Sequence, residues 1–196
     1  MSVPMTKLLR TIRLDPSDSF VFDPPAAPGE WAVPGGFMFD ADPATYTGRQ
    51  KQAFRSGFLG LTSFGWSTLA VVVEATSEER ASAVEVLAAH LHAHHGAPSL
   101  EAARAAAEDE IAYAASLADH PVQTLVALHR AVTPEGDISE QFRTLSKATA
   151  REDAKMPCSA GAFAIVEDND ATGHGPGEEA VDLSALADAM RRGGNP

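Results

Sequence analysis

The chain has 196 residues, 44% hydrophobic and 21% charged, enough to bury the core of one ordinary domain with an appendage. A net charge of −12 opposes binding to nucleic acid, which needs cations to displace the counterions around phosphate, and to anionic membrane surfaces. One cysteine, Cys158, excludes an intrachain disulfide; apolar runs such as residues 69–73 are too short to span a bilayer, and residues 1–5 lack a signal-peptide pattern, so the expected location is cytoplasmic.

Residues 7–14 read as a first strand, with Leu8, Ile12 and Leu14 on one face and Leu9, Thr11 and Arg13 on the other. Asp15-Pro16-Ser17-Asp18 is a turn, because proline fixes φ and short polar side chains bond nearby backbone. Phe20-Val21-Phe22 reads as a short returning strand, and residues 30–39 as a strand bent at Pro34-Gly35-Gly36. Asp42-Pro43 opens a helix expected to run to about Arg55 and stop at Gly57. Residues 66–74, rich in β-branched and aromatic side chains, form a strand buried on both faces.

Thr76-Ser77-Glu78-Glu79 is a capping box. The helix behind it buries Val84, Leu87, Ala88 and Leu91 and ends at Gly96. Pro98-Ser99 starts a second helix, to about Asp119, with Leu100, Ala103, Ala107, Ile111, Ala114 and Ala118 on one face; His120-Pro121 ends it. Residues 122–132 and 138–145 are strands around Thr133–Asp137, and pairing symmetric about Glu135 sets Arg130 opposite Glu140 and Leu128 opposite Phe142.

Beyond Lys147 the character changes. Residues 148–157 are polar, 160–167 could be one strand, 168–179 are acidic and Gly-rich and therefore expected to be mobile, and 182–192 read as an amphipathic helix. The expected architecture is α+β: residues 1–146 form an antiparallel sheet with two consecutive antiparallel helices on one face, and residues 147–196 form a partly flexible C-terminal extension.

Several stretches carry a resemblance: Leu-Arg-Thr-Ile-Arg-Leu-Asp at 9–15, Pro-Gly-Glu-Trp-Ala-Val at 28–33, Phe-Arg-Ser-Gly-Phe-Leu-Gly at 54–60 and Ser-Phe-Gly-Trp-Ser-Thr-Leu at 63–69, with Asp-His-Pro at 119–121 and Glu-Gln-Phe-Arg-Thr-Leu at 140–145. Over residues 7–146 the chain resembles a family of small, uncharacterised bacterial proteins known as a domain of unknown function. The resemblance supports the domain boundary and implies no activity.

The densest chemistry is His90, His92, His94 and His95, four of seven histidines, where a helix ends. At about 100° per residue His90 and His94 share one flank, an i, i+4 pair able to bind a divalent metal; His95 falls near the apolar face and His92 points away. A closed site would need further ligands such as His120, His129, Glu108 or Asp109. Against this, histidines at a helix C-terminus are favoured by the macrodipole and commonly sit solvated. Glu108-Asp109-Glu110 reads as a solvated helix face, with Arg104 and Glu108 spaced as an i, i+4 pair, and His129 as a packed strand residue.

The stretch Gly57–Trp66 alternates glycines with large apolar residues. Phe58, Leu59, Leu61, Phe64 and Trp66 either wall a pocket, present a patch to a partner, or seal the core. Cys158 has no histidine near it in sequence, and Asp40-Ala41-Asp42 lacks the glycine and glutamate of a calcium loop. The expectation is a non-catalytic accessory or assembly protein acting through contacts with a protein partner, with no cofactor, no nucleic acid and no membrane. The alternative is a metal-binding protein or metal-dependent enzyme built on the cluster from His90 to His95, holding a divalent metal at His90 and His94.

Overall fold

The computed structural model describes residues 5–147 and 163–166. In chain order these form β1 (Met5–Ile12), α1 (Asp18–Val21), β2 (Trp31–Val33), α2 (Gly48–Ser56), β3 (Phe58–Gly60) and β4 (Trp66–Ser67). There follow β5 (Leu69–Thr76), α3 (Ser77–His94), α4 (Leu100–Leu117), β6 (Leu125–Val132), β7 (Ile138–Lys147) and β8 (Phe163–Val166). The strands make one sheet in the order β4-β3-β2-β1-β5-β6-β7-β8, with neighbours antiparallel. Helices α3 and α4 pack on each other and against β1, so the α+β architecture read from the sequence holds. Among the described residues, no helix is long and apolar enough to cross a membrane.

Local signals fix the two long helices. Thr76 Oγ1 accepts from Glu79 N–H at 3.1 Å while Glu79 Oε2 accepts from Thr76 N–H at 2.9 Å, which closes the capping box. Ser99 Oγ accepts from Ala102 N–H at 3.1 Å at the start of α4. Val84, Leu87, Ala88 and Leu91 are buried against Ala103, Ala107, Ile111 and Ala114 in one cluster with Leu8, Val33 and Leu59 of the sheet. Leu100, expected on that face, is exposed.

Leu8 and Leu9 are both fully buried, so β1 is covered on both faces. Leu9 joins Ala32, Phe58, Ala70, Val72, Val126 and Leu128 in a second cluster, with Ala118 and Leu117 from the end of α4 packed on it. The sheet is curled. In a flat sheet β3 and β6, four places apart, would be separated by about 19 Å; instead Arg130 of β6 reaches the carbonyl of Gly57, the residue before β3, at 3.1 Å.

Four expected elements are built differently. The strand expected over residues 30–39 is reduced to β2, because Gly35 at φ of 71° turns the chain into a 3-10 turn, Gly36–Met38. Phe20-Val21-Phe22 is not a strand: α1 is one helical turn, because the Asp18 carboxylate accepts from Thr68 Oγ1 at 2.6 Å, Thr68 N–H at 3.2 Å and Ser67 Oγ at 3.3 Å, tying the turn to the sheet. The same contact divides the expected strand 66–74 at Thr68, so that β4 pairs with β3 and β5 with β1 and β6. Helix 43–55 is in two pieces: Asp42 caps a 3-10 turn, Pro43–Thr45, and α2 begins afresh at Gly48.

The β6–β7 hairpin has the expected register, with Arg130 opposite Glu140 and Leu128 opposite Phe142. Val126, Leu128 and Arg130 of β6 are buried, and His129 between them, expected to be packed, is on the other face and exposed. β7 runs one residue past 146 and pairs with β8. Residues 168–179, the expected helix 182–192 and Cys158 lie outside the described residues.

Candidate functional site

Two places where ionisable side chains are withdrawn from water carry the candidate chemistry. The first is centred on Arg130, whose side chain has no exposed surface. Its Nε donates to Glu140 Oε1 at 2.5 Å, and Nη1 donates to the carbonyls of Phe54 at 3.2 Å and Gly57 at 3.1 Å. Nη2 donates to the Pro34 carbonyl. One guanidinium thus joins β6, β7, the end of α2 and the segment after β2. Its planar fork suits this: it offers donors in fixed directions that a lysine could not match. Phe39 lies over the cation at 5.6 Å.

Around this ion pair, Tyr113 of α4 donates to Glu140 Oε2 at 3.0 Å, and Glu110 Oε1 accepts from Gly35 N–H at 3.0 Å. Gly35 turns the chain there with φ of 71°, and an added Cβ would stand 2.6 Å from that of Leu59. Burial pushes the Glu110 carboxyl above its ordinary range; the Gly35 amide opposes this, the nearby Glu140 charge adds to it, and Arg130 opposes it. Burial and the Glu140 carboxylate likewise push the Tyr113 hydroxyl up. Glu110 is therefore no solvated mid-helix acid. Glu108 pairs with Arg80 at 2.8 Å, while Arg104 binds Glu85 of α3 at 2.8 Å rather than Glu108.

The second place is the end of α3. His90 lies flat on the ring of Phe64, with centroids 3.6 Å apart and planes 10° from parallel. The rings of His94 and His95 lie 4.8 and 5.2 Å from it, and Phe37 meets His95 edge-on at 5.4 Å. His95, expected near the apolar face, caps the helix with its N–H on the Leu91 carbonyl at 3.0 Å and is exposed. His92 is exposed. His90 Nε2 is buried with no hydrogen-bond partner among the described residues. Burial first, then the neighbouring His95 and His94, lower the His90 pKa, which favours the neutral ring.

Phe64 holds its place from the loop after β3, with φ of 50°, a left-handed conformation rare for an aromatic residue. Glu30 anchors that loop: Oε2 accepts from Thr62 N–H and Ser63 N–H at 2.8 Å each, and Oε1 from Ala27 N–H at 2.7 Å. Burial alone would raise the Glu30 pKa; the hydrogen bonds from Ser63, Thr62 and Ala27 outweigh it and hold the carboxyl below its ordinary value.

The expected site residues separate accordingly. His90 and His94 are neighbours one helical turn apart. Among the described residues, no group of three or more His, Cys, Asp or Glu side chains is arranged to hold a metal ion. Phe58, Leu59, Leu61 and Trp66 are core, and Phe64 alone of the five remains partly at the surface, on His90. His129 borders a shallow cavity of about 340 Å³ with Ala127, Leu128, Gln141 and Arg143. Glu30, Asp18 and Glu110 were not legible as anchors, because the segments they tie down lie 32 to 33, 49 to 50 and 75 residues away.

The two most exposed large apolar side chains among the described residues lie elsewhere. Leu14 is 67% and Phe20 69% exposed, on the turn between β1 and the end of α1. Asp18, itself buried, roots that turn in the sheet, and Asp15 Oδ1 accepts from Ser17 N–H at 2.7 Å within it.

Residues 5–159 match a family of unknown function (DUF6505), and the chain belongs to that family. No curated protein and no solved structure matches it.

Proposed function

We propose that this chain is a non-catalytic accessory or assembly protein that binds another protein through the turn carrying Leu14 and Phe20. The observation that carries the reading is the anchoring of that turn to the sheet through Asp18, beneath two exposed apolar side chains. Holding an aromatic and an aliphatic anchor in place before contact lowers the ordering cost of association, and aromatic anchors dominate binding energy at interfaces. The net charge of −12 favours a partner that is neutral or basic around its apolar pocket.

The test is retention of partners by the immobilised full chain against a Leu14→Arg/Phe20→Arg double variant, followed by calorimetry with the purified candidate. A protein bound directly by the wild type and lost by the variant supports the reading. A partner bound equally by both moves the contact elsewhere and removes this site from consideration.

A second reading, divalent metal at His90 and His94, is favoured by the unpartnered His90 Nε2. Protein prepared without an affinity tag, carrying about one equivalent of metal that His90→Ala/His94→Ala removes, would put that reading first.

A further inference from the structure

One peptide unit is gripped from both ends by ionisable side chains. The Pro34 carbonyl accepts from Arg130 Nη2, and the N–H of the same peptide, on Gly35, donates to Glu110 Oε1 at 3.0 Å. On the other side of Arg130, Glu140 Oε1 accepts from Nε at 2.5 Å, and Glu140 Oε2 accepts from the Tyr113 hydroxyl at 3.0 Å. Tyr113 follows Glu110 on α4 by one helical turn, so the hydrogen bonds and the helix close a ring through α4, β7, β6 and the segment after β2. The ring contains two carboxylates and one guanidinium. Arg130 meets Glu140 directly and Glu110 only across the peptide, which a cation at its carbonyl and an anion at its N–H polarise together.

Every element around Glu110 contributes to its ionisation. Burial raises its pKa and Glu140 from β7 adds to this, while the Gly35 amide from the segment after β2 and Arg130 from β6 oppose; the net direction is upward. Tyr113, on the same helix, is acted on by Glu140, Glu110 and Arg130 in turn. Ionisation matters to the peptide because a carboxylate accepts a stronger hydrogen bond than a neutral carboxyl does. Gly35, at φ of 71°, caps the 3-10 turn Gly36–Met38. Phe37 on that turn meets His95 edge-on at 5.4 Å, and Phe39 just after it stacks on Trp66 with centroids 4.9 Å apart. Glycine adopts φ of either sign, so this peptide is free to rotate once its N–H is released.

We propose that Glu110 is a proton switch on this turn: ionised, it clamps the Gly35 amide and fixes the Pro34–Gly35 peptide; protonated, it slackens the clamp and lets residues 35–39 move while the rest of the fold is kept. The clamp works against overall stability. The folded pKa is raised, so the folded chain takes up the proton before the unfolded chain does. The destabilisation by ionised Glu110 is full above the raised value and is relieved as pH falls toward the ordinary 4.5. This inference is independent of the Leu14–Phe20 contact and of the metal reading.

Amide NMR of the isotope-labelled full chain from pH 7.5 downward tests it, alongside thermal melting of the wild type and Glu110→Gln. The expected result is a one-proton transition of the Gly35 amide with a midpoint above 4.5, followed at the same midpoint by the amides of Phe37, Met38 and Phe39. Their hydrogen exchange, corrected for its intrinsic pH dependence, should be several-fold faster on the acid side, with the amides of α3 and β5 unchanged. Glu110→Gln should abolish the transition and melt higher than the wild type at pH 7.5, by a margin that narrows on acidification. A Gly35 amide that titrates unchanged in Glu110→Gln, or a midpoint at or below 4.5, would overturn the proposal. So would residues 36–39 that stay silent while Gly35 titrates, or a Glu110→Gln protein less stable than the wild type at pH 7.5, which would make Glu110 a structural bond alone.

Discussion

Arg130 and His90 both sit away from water on the same sheet-and-helix scaffold, and the fold treats them in opposite ways. Arg130 spends its donors on a carboxylate and three carbonyls, so its charge is matched and its burial joins four segments. His90 has a ring stacked on Phe64 and a buried Nε2 with no partner among the described residues. A permanent cation must be paired before it can be buried. An imidazole escapes that demand by staying neutral, and its surroundings lower its pKa accordingly. The difference separates a group whose removal breaks the fold from one whose surroundings register acidity.

The most severe way to test this is to remove the cation. Arg130→Met leaves Glu140 without its countercharge and the carbonyls of Pro34, Phe54 and Gly57 without donors. Breaking one partner of a buried pair costs about 3–5 kcal/mol, read from urea denaturation. Arg130→Lys should recover little, since one ammonium cannot span acceptors on three segments. A loss below about 1 kcal/mol in Arg130→Met would place the ion pair among exposed ones and end the comparison.

Half of the Arg130 site was legible and half was not. The pairing with Glu140 follows from hairpin register, which the turn at 133–137 dictates locally. The carbonyl partners, 73 to 96 residues away, follow from the curl of the sheet, for which no short sequence pattern exists. The same division runs through the fold. Thr76 and Glu79 are three apart, and their capping box is as read; Val84, Leu87, Ala88 and Leu91 repeat at helical spacing and are buried. By contrast, the turn at Asp18 and the break at Thr68 explain each other, and neither segment alone reveals the contact. Gly57–Trp66 looked unusual because its glycines allow close approach: a Cβ on Gly57 would stand 2.7 Å from the Trp66 ring. That pattern announced tight packing without saying whether the aromatics faced inward.

Glu30 gives an intermediate test, since it is a buried charge that serves the His90 side. Its carboxylate accepts from three backbone amides and holds the loop that carries Phe64. Glu30→Ala strands those donors, at a cost of about 1–3 kcal/mol. It should also loosen Phe64 from His90, so the imidazole pKa, followed by proton NMR, should rise toward its ordinary value. An unchanged His90 titration in a destabilised Glu30→Ala protein would mean that the loop anchor and the histidine are energetically separate. Because the Glu30 pKa is lowered, its contribution is present above the ordinary carboxylate value of 4.5 and fades only as pH falls through the lowered one.

The smallest effect belongs to His90 itself and lies in a different pH window. Its pKa in the folded chain is below the ordinary 6.5, so the unfolded chain binds the proton more readily. Stability is therefore undiminished above the ordinary value and falls as pH drops below it, through the window where unfolded His90 is charged and folded His90 resists charging. His90→Phe keeps a flat ring against Phe64 and removes the proton. The variant should lose less stability than the wild type between about pH 7.5 and pH 5.5, a range that stays above the carboxylate window of Glu30. Parallel stability curves for the two proteins would show that withdrawing this imidazole from water has no energetic consequence. Curves that converge on acidification would show that the unpartnered Nε2 is tolerated because the ring stays neutral, the condition that Arg130, always charged, cannot use.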